Sequence, residues 1–172
     1  LTISTDQDNP VALTKGTDYE IQKCMKDVEG NLTPIFEEDG KTPKTPVDAG
    51  SYQIYISGIG SYTGEAVLEF SIEKRDANLC LWFYHLVDGK EEQVMTSEEA
   101  TYGTAYNAPK LKNPFNLAVT LSCNSNNAEN GTPSDVATID ADGNLTILKA
   151  GTVYVYAVTE GNDNCNGGDV HY

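Results

Sequence analysis

The sequence has few basic residues and no long apolar run. Of its 172 residues, 11 are lysine or arginine and 26 are aspartate or glutamate, which gives a formal net charge of −15. Nucleic acids and anionic membrane surfaces attract cationic patches, so this balance argues against both as partners. No run of 18 apolar residues occurs in the sequence, and membrane insertion is therefore not expected.

Residues and motifs that carry catalysis are also scarce. The two histidines, His85 and His171, are far apart in the sequence, and no GxSxG, HExxH or phosphate-binding glycine loop is present. The stretch from Asp140 to Gly151, "DADGNLTILKAG", lacks the glycine and glutamate that a calcium-binding EF-hand loop requires. We therefore assign no catalytic, cofactor or metal site and predict that the protein is not an enzyme.

Four cysteines, at positions 24, 80, 123 and 165, are widely spaced and form no CxxC pair. This spacing excludes the common zinc and redox signatures. Two disulfides, one disulfide with two thiols, and four thiols all remain open at this point. An even number of cysteines in an acidic chain fits an oxidising compartment.

Strand patterns dominate, and the longest window that tolerates a helix, Glu91 to Ala100, supports one turn at most. Strands are predicted wherever apolar residues alternate with polar ones or form short runs beside turn residues. They are 51–57, 66–72, 116–122, 136–139, 145–148 and a strand that starts at Gly151. The glycine-rich link "GIGSYTGE" and the Asp-Gly step in "DADGN" each predict a β-hairpin. The fold class is therefore all-β.

The chain also contains a degenerate internal repeat. Ala49-Gly50 and Ala150-Gly151 each precede an alternating strand and then a glycine-bearing turn. A charged stretch around "EKRDAN" has the composition of a short linker. We predict two tandem β domains, residues 1–74 and 75–172.

The second half resembles a bacterial immunoglobulin-like domain of the group 2 type. The resemblance is carried by "APKLKNPFNLAVTLS", "VATIDADGNLTI", "AGTVYVYAV" and "EGNDNCNGG". The first half resembles the mucin-binding-like (MBG-type) repeats of surface adhesins, through "LTKGTDYEI" and "DAGSYQIYISGIGSYTGEAVLEFSI". The resemblance implies an immunoglobulin-like β-sandwich for the second domain. For the first it implies either an immunoglobulin-like sandwich or a β-grasp-like module.

These families occur in tandem in secreted and cell-surface proteins, many of them from gut bacteria. The resemblance therefore implies an extracytoplasmic, non-catalytic module that acts as a spacer or an adhesive, presenting element, with a leader peptide ahead of this segment. Expected partners are neighbouring modules of the same polypeptide and surface glycans or other surface proteins. The alternative is an accessory module that binds carbohydrate or mucin.

Two positions depart from the pattern of the group 2 family. Cys123 stands where the family usually has serine, and Cys165 where it usually has tyrosine. Because the two departures occur together, the comparison with the family favours a Cys123–Cys165 disulfide.

Tyr154 and Tyr156 are the candidate ligand-facing aromatics. In the strand that begins at Gly151, Val153, Val155 and Ala157 share one phase and the two tyrosines share the other. Their rings would form a small platform for sugar faces, because a flat apolar ring buries the apolar face of a sugar. The alternative is that the tyrosines pack beneath a loop or against a neighbouring module.

Overall fold

The computed structural model describes residues 3–5, 10–95 and 97–172. The chain divides into two compact units, Leu1–Glu73 and Lys74–Tyr172, here called unit 1 and unit 2. Small antiparallel sheets account for nearly all of the regular structure, and this confirms the predicted all-β class.

Unit 1 is built on a four-stranded antiparallel sheet with strand order β4-β3-β5-β6, beside a short β1–β2 pair. Its strands are β1 Ile3–Ser4, β2 Ala12–Leu13, β3 Tyr19–Val28, β4 Asn31–Ile35, β5 Gly50–Gly58 and β6 Glu65–Ile72. β5 and β6 pair along their length, from Gly50 opposite Ile72 to Ser57 opposite Glu65. The hairpin predicted around "GIGSYTGE" is confirmed.

The core of unit 1 lies on one face of this sheet. Tyr52, Ile54 and Ile56, which the alternation of β5 placed on one face, are all buried. On β3 the alternation is interrupted, because Ile21 pairs with Ile56 whereas Lys23, two residues later, pairs with Tyr55, which directly precedes Ile56. The residue between them is a bulge that shifts the side-chain phase, so Tyr19 before the bulge and Cys24 after it are both buried in the core.

A second hairpin, β3–β4, occupies the charged region that follows Gln22. Val28 pairs with Asn31 across a two-residue turn, Glu29 and Gly30, whose φ angles are both positive. Such angles belong to the type I′ turn, whose twist matches that of antiparallel strands. The Asp27 carboxylate accepts a hydrogen bond from the Gly30 backbone N–H (2.7 Å) and fixes the turn.

Unit 2 contains one helical turn and three small antiparallel sheets within the described residues. The sheets have strand orders β8-β7-β9, β10-β13-β14 and β11-β12. Its elements are α1 Ala77–Cys80, β7 Trp82–Val87, β8 Lys90–Gln93, β9 Lys110–Lys112, β10 Val119–Asn124, β11 Ala137–Ile139, β12 Leu145–Ile147, β13 Tyr154–Thr159 and β14 Gly168–His171. The predicted hairpin around "DADGN" is confirmed as β11–β12.

The window that tolerated at most one helical turn contains no helix within its described residues. The window Glu91 to Ala100 begins in β8, which pairs with β7 across a turn at Asp88 and Gly89. Tertiary pairing thus overrides the weak helix propensity of this acidic stretch. The one helical turn among the described residues lies at Ala77–Cys80, which was not predicted.

One apolar core joins the two three-stranded sheets of unit 2 in a sandwich-like arrangement. Phe83 of β7 packs in the same buried cluster as Cys123 of β10 and Val155 and Ala157 of β13. Burial of Val155 and Ala157 confirms that this phase of β13 faces the core. Within the described ranges, no helix is long and apolar enough to cross a bilayer.

Candidate functional site

A disulfide joins the two ends of unit 2. Cys80, the last residue of α1, bonds to Cys165 in the loop between β13 and β14, with 6.4 Å between the Cα atoms. The two cysteines are 85 residues apart in the sequence and both are fully buried. The bond therefore closes almost the whole of unit 2 into one covalent loop.

The predicted Cys123–Cys165 pair is wrong. Cys123 is a buried free thiol on β10, where it pairs with Val155 near the start of β13. Cys165 is bonded to Cys80 instead, so its sulfur is not available to Cys123 even though both cysteines belong to the same buried cluster.

Hydrogen bonds hold the first residues of unit 2 against the loop that carries Cys165. The backbone N–H of Arg75 donates to the carbonyl of Asn164 (3.0 Å), and that of Asn166 donates to the carbonyl of Arg75 (2.7 Å). The Lys74 ammonium donates to the carbonyl of Asn162 (2.8 Å). Residues 74–76 are therefore part of the folded unit rather than a free linker.

Gly161 allows this loop to turn tightly. Its φ is +82°, a conformation that favours glycine, and an added Cβ would lie 2.4 Å from the carbonyl oxygen of Cys165. The Asn162 side-chain oxygen accepts hydrogen bonds from the backbone N–H groups of Asn164 and Cys165, both at 2.9 Å. Local chemistry thus positions Cys165 for its bond to Cys80.

A cleft of about 590 Å³ opens on unit 2 between two walls. One wall is the segment 97–106, which we call the strap, and the other comprises the β11–β12 hairpin and the start of β13. Its lining combines aliphatic, tyrosine and charged side chains. They belong to Glu98, Glu99, Tyr102, Tyr106, Val136, Leu145, Ile147, Lys149, Val153, Tyr154 and Tyr172, among others.

Glu98 ties the strap to the body of unit 2. One oxygen of its carboxylate, Oε1, contacts the Nε2 atom of His85 on β7 at 2.7 Å. Its other oxygen, Oε2, accepts a hydrogen bond from the Tyr106 hydroxyl at 2.7 Å. The Glu98 side chain remains 24% exposed, so one carboxylate is held in a fixed orientation at the cleft.

The hydroxyl groups of two tyrosines in the cleft, Tyr106 and Tyr172, stay protonated. Burial, together with the hydrogen bond to Glu98, raises the pKa of Tyr106 well above its usual value. Burial likewise raises the pKa of Tyr172. Because neither tyrosine ionises near neutrality, the formal charges of the lining come from Glu98, Glu99 and Lys149, and Lys149 pairs with Asp135 at 2.6 Å.

The predicted tyrosine platform is not formed. Tyr154 is half-buried and lines the cleft, whereas Tyr156 is only 2% exposed. The Tyr156 ring stacks on His171 of β14, with 4.6 Å between ring centroids, and its hydroxyl donates to the side chain of Asn127. The His171 ring and the Asn127 side chain cover Tyr156, so its assignment as ligand-facing is wrong.

The strap residues that line the cleft were missed by sequence reasoning. Glu98, Glu99, Tyr102 and Tyr106 lie in a stretch without strand or helix periodicity, where no pattern indicates which side chains face a cavity. The one signal that could have indicated a binding surface was the presence of tyrosines and glutamates in a region that no strand or helix pattern explains.

The "DADGN" turn is held by its own side chains. Asp140 accepts hydrogen bonds from the backbone N–H groups of Asp142 (3.0 Å) and Asn144 (2.8 Å), and from the Asn144 side-chain amide (2.9 Å). These bonds lower the pKa of Asp140, with that from the Asn144 side chain the largest cause. Among the described residues, no three metal-ligating side chains come together as a candidate metal site.

No family model, no curated protein and no solved structure matches this chain.

Proposed function

We propose that this chain is a non-catalytic, extracytoplasmic structural module of a bacterial surface or secreted protein, which acts as a load-bearing spacer or presenting element. The proposal draws on the resemblance of the two halves to MBG-type repeats and group 2 immunoglobulin-like domains. It also draws on the disulfide, because such bonds persist in oxidising compartments outside the cytoplasm.

The observation that carries the proposal is the position of the Cys80–Cys165 bond. A spacer is pulled at its two ends, and this bond connects residues six and seven positions inside the limits of unit 2. A load applied between Lys74 and Tyr172 therefore passes through the disulfide and not through the strands it encloses. Those strands remain folded under a tension that would otherwise extend them.

The length protected in this way is large. A fully extended residue spans about 3.5 Å, so the 85-residue separation corresponds to about 300 Å of chain that cannot be drawn out. A Cys123–Cys165 bond would have protected about 150 Å, because it encloses about half as many residues.

Single-molecule stretching of the full chain, held at its two ends, tests this function. We expect the wild-type chain to release the length of unit 1 but only a small part of unit 2. The double variant Cys80→Ala/Cys165→Ala should release about 300 Å more. Cys123→Ala is the matched control, because it removes a buried cysteine and keeps the bond.

Release of the full length by the wild-type chain, without cleavage of the bond, would contradict the load-bearing function. Equal extensions for the wild type and the double variant would contradict it as well.

The alternative function, binding of carbohydrate or mucin, loses the platform on which it was predicted. With Tyr156 buried, Tyr154 is the one member of that pair that a ligand can reach, and it lies in the cleft rather than on a flat face. The structural role is therefore the function we favour.

A further inference from the structure

The lining of the unit 2 cleft differs from the apolar core because it combines aliphatic, aromatic and charged side chains. Aliphatic side chains form part of its lining, among them Leu145 and Ile147. Tyrosine rings and carboxylates lie around them, and Tyr102 is 59% exposed. The lining therefore offers apolar, aromatic and anionic groups to one ligand.

The charge of the cleft and of unit 2 favours cationic ligands over anionic ones. Glu98, Glu99 and Lys149 are the charged residues of the lining, and the Lys149 ammonium pairs with the Asp135 carboxylate at 2.6 Å. Unit 2 as a whole carries 13 acidic and six basic residues, a net charge of −7. This field repels anions and raises the local concentration of cations.

The aromatic lining also favours a cation. Ring faces carry partial negative charge, and an ammonium or guanidinium group placed over tyrosine is attracted to it. Tyr102 and Tyr154 both line the cleft and both retain accessible surface.

Glu98 supplies a carboxylate that is oriented before any ligand arrives. His85 and Tyr106 hold its two oxygens at 2.7 Å each, and each oxygen retains capacity to accept a further hydrogen bond. Because its orientation is already fixed, a ligand that binds this carboxylate does not have to order it.

We infer that the cleft is a docking site for the cationic side chain, lysine or arginine, of an extended segment of a partner protein. The apolar methylene stem contacts the aliphatic side chains of the lining, and the charged head lies among the tyrosine rings and the carboxylates of Glu98 and Glu99. This inference is independent of the load-bearing role, since the cleft does not involve the disulfide.

The test is a titration of the isotope-labelled full chain, followed by backbone amide resonances. The probe is a short capped peptide of alternating alanine and lysine, and the control is the same peptide with every lysine acetylated, which removes the charge but keeps the stem. We expect saturable shifts at Ala100 and at Gly151 to Val153, with an affinity that weakens as the salt concentration rises.

Three variants locate the site. Glu99→Gln and Tyr102→Ala change exposed side chains of the cleft, and each should weaken binding by about twofold to fivefold. Glu160→Gln removes the same charge at the far end of β13, outside the cleft, and should leave the affinity within about 1.5-fold of the wild type. Well-dispersed spectra of each variant show that it is folded.

Equal binding of the acetylated peptide would overturn the inference, because the charge would then play no part. Shifts that map away from the cleft, or no saturable shifts with the lysine peptide, would overturn it too. A neutral disaccharide such as lactose serves as a further probe. Shifts at the cleft with this sugar but not with the lysine peptide would assign the site to carbohydrate instead.

Discussion

Replacing Cys80 and Cys165 together by alanine removes the bond that closes unit 2. A disulfide stabilises the folded state by restricting the unfolded chain, and the effect grows with the length of the closed loop. For a separation of 85 residues, the chain-entropy treatment gives about 4.6 kcal/mol at 25 °C. For a unit of this size, a loss of that magnitude lowers the melting temperature by about 20 °C.

Scanning calorimetry of the full chain measures this change. Cys123→Ala is again the control, since it truncates a buried cysteine in the same core and should cost only about 1 kcal/mol. Peptide mapping of the unreduced wild type should recover Cys80 and Cys165 in one linked pair. A double variant that melts within about 3 °C of the wild type, or a linked pair that contains Cys123, would refute the reasoning.

Three further predictions concern single residues. Burial raises the pKa of the Cys123 thiol to about 11, so iodoacetamide should label it far more slowly in the native state at pH 8 than in denaturant; equal rates would contradict this. Gly161→Ala should destabilise unit 2 by about 1–3 kcal/mol in urea unfolding, because its Cβ meets the Cys165 carbonyl; a variant as stable as the wild type would contradict this. Because the pKa of Asp140 is lower in the folded state than in the unfolded chain, its ionised form stabilises the fold at pH values above the unfolded-state pKa. This stabilisation is lost as the pH falls through the folded-state pKa. The melting difference between the wild type and Asp140→Ala should therefore shrink from pH 7 to pH 2, and a constant difference would contradict it.

Regular alternation and turn chemistry were sufficient to predict several elements. The core face of β5 and both expected hairpins follow from patterns that depend only on neighbouring residues. The division at residue 73 falls beside the charged stretch that the sequence offered as a linker. Local rules work where strands pair with their sequence neighbours.

Features that depend on distant contacts were harder to predict. Tyr154 and Tyr156 have the same phase on β13. Tyr156 is buried because Asn127 and His171 cover it, whereas Tyr154 stays accessible. Cys165 bonds to Cys80 because the fold brings α1 next to a loop that is 85 residues away in the sequence. Neither juxtaposition leaves a periodic signal in the sequence.

The covalent loop in unit 2 also has a consequence for proteolysis. A single cut at an exposed position between Cys80 and Cys165 opens the polypeptide but does not divide it, because the disulfide still connects the two pieces. The residues on either side of the bond therefore remain joined after cleavage. Cleaved protein would run as one band on a non-reducing gel and as two on a reducing gel.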